Sequence, residues 1–517
     1  MKMKKQTFLL LLGVFVAVTA CDRIDDFIGG GGDDDDQGPE VKPLTSSVVS
    51  ADEVFDLKAD FAGSVDLEMI MTSADILPAD STFVYGSYTD GCALFNNGDN
   101  TYSFIVNLER DYSIARIEMN KDLQPFEGEY IINSNATAFT AMCSGSGITM
   151  EEHGFGPLYL SGGEWVGTGA GAQGVYVVDP YKPASQASIA TRSPAMGEWA
   201  TENAVVIGKN AYSDLTVALI GDDDSNNTYP ESHLGLYVGA RGDLFAGDLY
   251  TLRGKNPVET APGEGGLLFE MGMEEGTTYN AEWVPMTERT LTELNQEGID
   301  SLSIGFQRIE DIDWQKGSAD NERTLFFCVT GRYRSDNPDL ALRGTTFGRI
   351  YMVQLNDEDP RGDCTITCIL DGDKVGGVAD GFHSPDNIVV TENYVYIQED
   401  PNGYFDQNTA IEGWAKLYQY NIATGQLSTV LECDEDNNPQ YGGGGKWEIT
   451  GMIDVTDIID APESTFMCGI QVHGWEADNI PSALRADGKA FFDPTAIAEG
   501  LSDLEGSFLF KITGLPR

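Results

Sequence analysis

The chain has 517 residues, of which 41% are hydrophobic and 22% are charged, and its 31 basic and 83 acidic side chains give a formal net charge of −52. The composition is that of a globular protein, and the length is sufficient to bury a large core. Nucleic acid is excluded as a partner, because binding to a phosphate backbone requires clustered Lys and Arg side chains.

The N-terminal segment has the pattern of a bacterial lipoprotein signal peptide. Three lysines among the first five residues precede an apolar run over 8–18, and the run ends in Val18-Thr19-Ala20-Cys21, a small-residue cleavage site. The alternative is an uncleaved transmembrane anchor, but the apolar run is too short to span a bilayer. We therefore expect 1–20 to be removed, Cys21 to carry the lipid, and an outer-membrane lipoprotein that faces the periplasm or the cell surface.

Residues 21–45 are predicted to form a flexible tether after the lipidated cysteine. Four glycines at 29–32 are followed by four aspartates at 33–36. This composition repels itself and lacks the apolar side chains that would offset the entropy of ordering. A plain linker and a surface-export address both explain the acidic run.

From 46 to 517 the sequence indicates a single all-β domain. Short segments of alternating apolar and polar residues are separated by Gly, Asp and Asn turns, as at 174–179, 236–239, 249–252, 349–355 and 417–421. A pair of β-sandwiches would give the same local signal. The length favours a β-propeller of about five to seven four-stranded blades with loop insertions.

The common catalytic and cation-binding motifs are absent or incomplete. There is no H-E-x-x-H and no G-x-S-x-G, and the glycine run that ends at Lys446 lacks the Ser or Thr of a P-loop. Acidic loops at Asp222, Asp371 and Asp434 begin like EF-hand loops but lack either the central Gly or the closing Glu. We interpret these three loops as solvated turns.

Seven cysteines remain besides Cys21, and two of them, Cys364 and Cys368, lie four residues apart. No second close pair and no histidine at ligand spacing accompany them, so the pattern does not indicate a zinc site. A disulfide and simple burial are the remaining interpretations of this pair.

Four carboxylates stand in apolar or Gly/Pro-rich contexts where a solvated face would not place them. They are Glu202, Glu310, Asp386 and Glu448. A carboxylate beside an apolar strand is costly unless it is paired or bound to a metal. Gathered at one end of a propeller channel, the four would suit a hard cation such as Ca²⁺, which takes six to eight oxygen ligands.

The segments around these carboxylates resemble the PhoX-type alkaline phosphatases, monomeric β-propeller enzymes with a calcium and iron cluster. Residues 196–204 look like the family's blade around a metal-binding Glu, and 308–314 resemble its R-P-E-D-I-x-W segment, with Ile in place of Pro. Similarly, 344–351 resemble W-G-R-I-Y, 383–387 resemble G-P-D-N, and 447–451 resemble C-E-V-T-G.

The N-terminal half resembles the family less closely. Residues 106–109 are similar to V-N-H-E, with Leu108 in place of His, and 143–145 are similar to a metal-ligating Cys-Ala/Ser-Gly. Where the family has T-P-W-G-T-W-L-T-C-E-E, residues 154–164 keep one of the two terminal acidic residues.

The resemblance implies roles for particular residues. It implies calcium or bridging-metal ligands at Glu109, Glu202, Glu310, Asp386 and Glu448, iron ligands at Cys143 and Glu164, and a phosphate clamp at Arg308. Alternatives remain open for two of them, because Cys143 could belong to a disulfide and Arg308 could simply pair with Asp311.

Two functions follow from the resemblance. The first is a lipid-anchored, monomeric, metal-dependent phosphomonoesterase that uses Ca²⁺ and Fe, hydrolyses small phosphate esters and touches the membrane only through its lipid. The second is a non-catalytic propeller lipoprotein that keeps the calcium sites and serves as a binding or accessory subunit. The altered N-terminal motif favours the second.

Overall fold

The structure is a computed structural model that describes residues 42–166, 172–224, 228–401, 413–442, 447–478, 480–498 and 504–517. The predicted signal peptide, Cys21 and most of the predicted tether lie outside these residues. Among the described residues, none of the helices has the length and apolar character needed to cross a membrane.

Strands account for most of the regular structure. In chain order they are β1 (Phe55–Leu57), β2 (Asp66–Thr72), β3 (Thr89–Asn96), β4 (Thr101–Leu108), β5 (Ser113–Asn120), β6 (Pro125–Ile132), β7 (Thr140–Ile148), β8 (Leu158–Val166), β9 (Gly174–Val178), β10 (Thr201–Val206), β11 (Leu215–Asp222), β12 (Leu234–Ala240), β13 (Asp248–Gly254), β14 (Thr278–Met286), β15 (Ile309–Trp314), β16 (Thr324–Val329), β17 (Arg349–Gln354), β18 (Cys364–Asp371), β19 (Pro385–Val390), β20 (Tyr394–Glu399), β21 (Lys416–Asn421), β22 (Leu427–Cys433), β23 (Glu448–Asp454), β24 (Thr465–Val472) and β25 (Gly506–Thr513).

Helices are few and short. The α-helices are α1 (Ala51–Val54), α2 (Ser134–Thr137), α3 (Met150–His153) and α4 (Leu291–Asp300), and the 3-10 helices are Ala184–Gln186, Pro194–Met196, Glu270–Gly272, Asn321–Arg323, Pro338–Leu342 and Pro439–Tyr441. The all-β class predicted from the sequence is therefore confirmed.

The strands group into six antiparallel blades. Blade 1 is β3–β6, blade 2 is β7–β9, blade 3 is β10–β13, blade 4 is β15–β18, blade 5 is β19–β22 together with β1, and blade 6 is β23–β25 together with β2. The strand β14 pairs with both β13 and β18 and so joins blades 3 and 4 into one nine-stranded sheet. Regular four-stranded blades are thus only part of the architecture, because blade 2 has three described strands.

The first strands of the blades form a closed central ring. Each of β3, β7, β10, β15, β19 and β23 contacts the next, and β23 contacts β3. Blade 6 joins the two ends of the domain. Its outermost strand is the N-terminal β2, which pairs with the C-terminal strand β25, Asp66 opposite Thr513. This arrangement is a β-propeller, as predicted.

Apolar side chains of adjacent blades fill the space between them. Trp447, Trp475 and Phe508 are all at most 1% exposed and pack edge to face in blade 6. In blade 4, Phe327 and Tyr351 stack with ring centroids 5.0 Å apart. Alternation along each strand supplies these side chains, because successive residues point to opposite faces of a blade.

The interpretation of the acidic loops as solvated turns is wrong at two positions. Asp222 is 0% exposed and accepts a hydrogen bond from the His233 backbone N–H at 3.3 Å. Asp371 is 6% exposed and lies 2.6 Å from Arg349. Both end strands rather than forming exposed loops, and the partners that permit their burial come from other parts of the chain.

The cysteines that the structure describes form no disulfides, and all of them are buried. Cys364 and Cys368 occupy the same strand, β18. Four residues of extended chain span about 13 Å, which is too far for a disulfide. Burial is therefore the correct interpretation of this pair, and Cys143 belongs to no disulfide either.

Candidate metal centre

Acidic side chains stand at the same end of successive blades. Glu202 and Glu310 are the second residues of β10 and β15, and Asp386 is the second residue of β19. Within a blade the first and second strands are antiparallel, so the start of one lies beside the end of the other. In blade 5 this pairing sets Pro385 opposite Glu399, and the charge of Asp400, the next residue, acts on Asp386.

The inner strands are irregular where these carboxylates lie. Pairing with the second strand shifts register at 89–92 in β3, 201–204 in β10, 309–312 in β15 and 385–388 in β19. A β-bulge bends a strand and redirects its side chains. The bulges allow consecutive residues of these strands to serve the centre and the neighbouring blades.

Four groups of ligand-type side chains result, and three of them share members. Within each group the candidate ligand atoms lie within 4.8 Å of one another. The groups are Asp90, Cys143 and Glu202; Glu109, Cys143 and Glu164; Glu202, Glu310 and Asp386; and Asp400, Glu448 and His473. The first three groups are linked through Cys143 and Glu202. Six of the seven residues predicted as metal ligands lie in these linked groups. The seventh, Glu448, lies in the fourth group, where the charges of Asp386, Asp90 and Glu109 act on it.

Burial and mutual repulsion disfavour negative charge in this cluster. The pKa of Glu202 is raised to about 8, first by burial and then by the charges of Asp223 and Glu109. The pKa of Asp386 is raised well above its usual range by burial, and next by Glu202. The pKa values of Glu310 and of the other acidic members Asp90, Cys143, Glu164 and Glu448 are raised likewise, burial being the largest cause. A cation would remove this cost.

The donor sets fit two kinds of cation. Glu202, Glu310 and Asp386 offer oxygen alone, the donor that Ca²⁺ prefers. Cys143 adds sulfur beside Glu164, whose Oε2 accepts a hydrogen bond from the thiol at 3.1 Å. A thiol with carboxylates suits a transition metal such as iron better than calcium.

Arg308 lies beside the cluster and is held by carboxylates. Its Nε and Nη2 donate to the two oxygens of Asp223 at 2.7 and 2.8 Å, and Nη2 lies 2.9 Å from Oε1 of Glu310. The Arg308 backbone has φ +71°, an uncommon conformation for a residue with a side chain. The alternative of a pairing with Asp311 is wrong, because the two oxygens of Asp311 accept from the backbone N–H groups of Ile312 at 2.8 Å and Ile388 at 3.0 Å.

A polar layer beneath the carboxylates connects the blades. Asn387 donates to Ser144 Oγ at 2.7 Å and accepts from the Gly451 backbone N–H at 3.1 Å, so it joins blades 5, 2 and 6. Thr450 donates to Asp90 at 2.6 Å and contacts Asn387 as well. These bonds fix the inner strands relative to one another and thereby fix the ligand positions.

Four members of the site were not predicted from the sequence. Asp90 occupies the same second position of β3 that Glu202 occupies in β10, so the strand pattern contained a signal for it. Asp223, Asp400 and His473 directly follow the second strands β11, β20 and β24. Only their position at the end of a second strand marks these three residues, and this position can be recognised only once the pairing of the strands is known.

Comparison with known proteins adds a structural relative. No protein-family model matches the chain, and no curated protein sequence matches it. The structure of Pseudomonas fluorescens PhoX in complex with vanadate, a transition-state analogue, matches with a TM-score of 0.58 and 13% identity, covering 93% of this chain and 98% of that chain.

Two further solved structures are more distant. The AfRom2 CNH domain has a TM-score of 0.32 at 7% identity, covering 87% of this chain and all of the domain. Polysaccharide lyase Uly1 has a TM-score of 0.33 at 7% identity, covering 86% and 92% of the two chains. The fold is therefore that of a PhoX-like β-propeller, and its centre holds a cluster of carboxylates with one thiol and one imidazole.

Proposed function

We propose that the protein is an extracytoplasmic, metal-dependent phosphomonoesterase, a divergent relative of the PhoX-type alkaline phosphatases. The observation that carries the proposal is the convergence of carboxylates and one thiol from all six blades on one buried centre, with Arg308 at its side. Phosphate-ester hydrolysis requires neutralised charge and an activated oxygen nucleophile, and a metal cluster supplies both without a Ser or His nucleophile.

The type of donor atom determines which cation each group of residues would hold. Glu202, Glu310 and Asp386 would hold Ca²⁺ through oxygen, with Glu448 at the adjoining corner. Cys143 would hold iron together with Glu109 and Glu164. Ions bound there would neutralise the transferring phosphoryl group and lower the pKa of bound water.

Glu109 and Glu448 are oriented by other side chains of the site. Trp165 Nε1 donates to Glu109 Oε1 at 2.6 Å, and Gln471 Nε2 lies 3.3 Å from Glu109 Oε2 and 3.2 Å from Glu448 Oε1. Ligands fixed in this way need little reorganisation when a cation or a phosphoryl group binds.

Arg308 would orient the phosphoryl group. Asp223 fixes one edge of its guanidinium through two hydrogen bonds, so the planar group is preorganised beside Glu310. Arginine suits phosphate oxygens because its donors form a rigid fork. The charge-assisted bonds strengthen as negative charge develops on the transferring group.

The remaining parts of the proposal rest on the sequence. A lipid on Cys21 would hold the enzyme at the outer membrane, facing the periplasm or the cell surface. The substrates would be small phosphate esters, the enzyme would act as a monomer, and nucleic acid would not bind, because the net charge of −52 repels it.

The test combines elemental analysis with a phosphomonoester assay on purified protein at saturating Ca²⁺ and Fe. Arg308→Ala should lower turnover per folded molecule by orders of magnitude, and Arg308→Lys should recover only part of it, because Lys restores charge but not the fork. Arg253→Ala is the matched control, since Arg253 on β13 makes a similar two-nitrogen contact with Glu282 on β14. Equal specific activity in all forms would reject Arg308 as the clamp.

A second candidate is a non-catalytic, calcium-stabilised propeller that binds a partner. It is favoured by the engagement of Arg308 with both Asp223 and Glu310, which would be sufficient for a purely structural role. In that case Arg308→Ala lowers stability, and wild-type protein shows no hydrolysis with any metal combination.

A further inference from the structure

His473 is a buried histidine at the edge of the carboxylate cluster. It follows β24 directly and is 5% exposed. Its Nδ1 lies 3.1 Å from Oε2 of Glu505, and its ring packs edge-on against Tyr88 with centroids 4.5 Å apart. These two contacts fix both the tilt of the ring and the nitrogen that carries the proton.

The opposite ring nitrogen faces two carboxylates. Nε2 lies 3.8 Å from Oε2 of Glu448, beyond hydrogen-bond distance, and makes no hydrogen bond to any residue that the structure describes. The candidate ligand atoms of Asp400, Glu448 and His473 lie within 4.8 Å of one another. Two ligands each about 2.1 Å from one cation stand roughly 3 to 4 Å apart. The 3.8 Å between Nε2 and Glu448 Oε2 falls in this range.

We propose that Asp400, Glu448 and His473 form a separate site for a borderline divalent transition metal of the Zn²⁺ type. Imidazole selects such ions, whereas Ca²⁺ and Mg²⁺ prefer oxygen alone. Glu505 is the partner that a metal-bound histidine normally has on its second nitrogen, where a carboxylate fixes the tautomer and raises ligand basicity.

This inference deepens the proposed function and rests on the same cluster, but not on phosphatase activity. Besides the oxygen-only group, the cluster then has two chemically different sites, one with the thiol of Cys143 and one with the imidazole of His473. The competing explanation is that His473 is an imidazolium that neutralises Glu448 and Glu505 and binds no metal.

The test counts Zn²⁺ bound to full-length protein. Protein stripped by chelation is equilibrated with excess Ca²⁺ to fill the oxygen sites, titrated with Zn²⁺ alone, and analysed for metal content. Wild type should bind two equivalents, His473→Gln one, and Cys143→Ser one. His383→Gln should bind two, because His383 is also buried and 3.8 Å from a glutamate, Glu399, yet belongs to none of the four groups.

Two further measurements separate a ligand from a counter-charge. Glu505→Gln should weaken the His473-dependent Zn²⁺ site about 10- to 100-fold while leaving the Cys143-dependent site unchanged. If His473→Gln does not fold, the Nε2 resonance of ¹⁵N-histidine-labelled wild type must still shift when Zn²⁺ is added. Unchanged Zn²⁺ content in His473→Gln, or an unshifted resonance, overturns the proposal. Absence of hydrolysis with every metal would overturn the proposed function alone.

Discussion

Replacing Glu202 by Gln should stabilise the protein much more in the absence of calcium than in its presence. Burial, and next the charges of Asp223 and Glu109, raise the pKa of Glu202 from an ordinary 4.5 to about 8 in the folded protein. Because the folded-state pKa is the higher one, the carboxyl contributes its full stability below pH 4.5 and loses it as the pH rises through 8. Metal-free wild type is therefore penalised at pH 8, and Glu202→Gln is not.

The magnitude follows from the two pKa values. Between an unfolded value of 4.5 and a folded value of about 8, the penalty at pH 8 is about 4 kcal/mol of unfolding free energy. The amide keeps an oxygen for the Ser144 backbone N–H, which donates to Glu202 Oε1 at 3.1 Å. In chelator at pH 8 the Gln variant should thus be more stable than wild type by up to this amount.

In excess calcium this advantage of the variant should shrink from about 4 to about 1 kcal/mol. Glu202 then stabilises the folded state as a charged ligand, and a 100-fold loss of affinity would remove about 2.7 kcal/mol from the variant. The assay is denaturant unfolding at pH 8 in excess chelator and in excess Ca²⁺. Glu118→Gln is the control, because Glu118 is a partly buried carboxylate whose pKa burial also raises, but it lies outside the four groups. If Glu202→Gln changes stability by the same amount under both conditions, Glu202 binds no cation.

Two further predictions concern residues outside the ligand set. Asn387→Ala should lower the unfolding free energy by about 3 kcal/mol in denaturant titrations, because the buried partners Ser144 and Gly451 lose their hydrogen bonds. Alanine at the exposed Asn437 is the control and should cost almost nothing. An equal effect at both positions would contradict the bridging role of Asn387. Burial raises the pKa of Glu270 to about 7, so its contribution to stability is complete below pH 4.5 and is lost as the pH rises through 7, a loss of about 3 kcal/mol. Glu270→Gln should remove this part of the pH dependence between pH 4.5 and 8, and identical pH profiles for the two proteins would show that the carboxyl does not titrate in this range.

Local sequence patterns contained much of the fold class. The alternating segments at 349–355 and 417–421 lie in β17 and β21, and the expected turn between β21 and β22 is present. Such patterns report which face of a strand is buried, because side chains alternate with a period of two. They do not report which strands are neighbours, and so β14 joining two blades and β2 closing the last one were not predicted.

The same limit applies to the site. Glu202, Glu310, Asp386 and Glu448 were recognisable because each is a charge beside an apolar strand. Asp223 belongs to the acidic loop at Asp222, which was interpreted as a solvated turn. Its partner Arg308 lies 85 residues away in sequence, so no local pattern indicated the pairing.

The sequence alone therefore determined that the protein is built from short strands, that it is strongly acidic, and that several carboxylates sit in apolar contexts. Only the tertiary structure decided that Asp90, Asp223, Asp400 and His473 join them, and that Arg308 pairs with Asp223. The physical reason is that alternation and burial act within one strand, whereas a metal centre is assembled from strands of six different blades. Closure of the ring brings residues more than a hundred positions apart within ligand distance, and no local pattern encodes that closure.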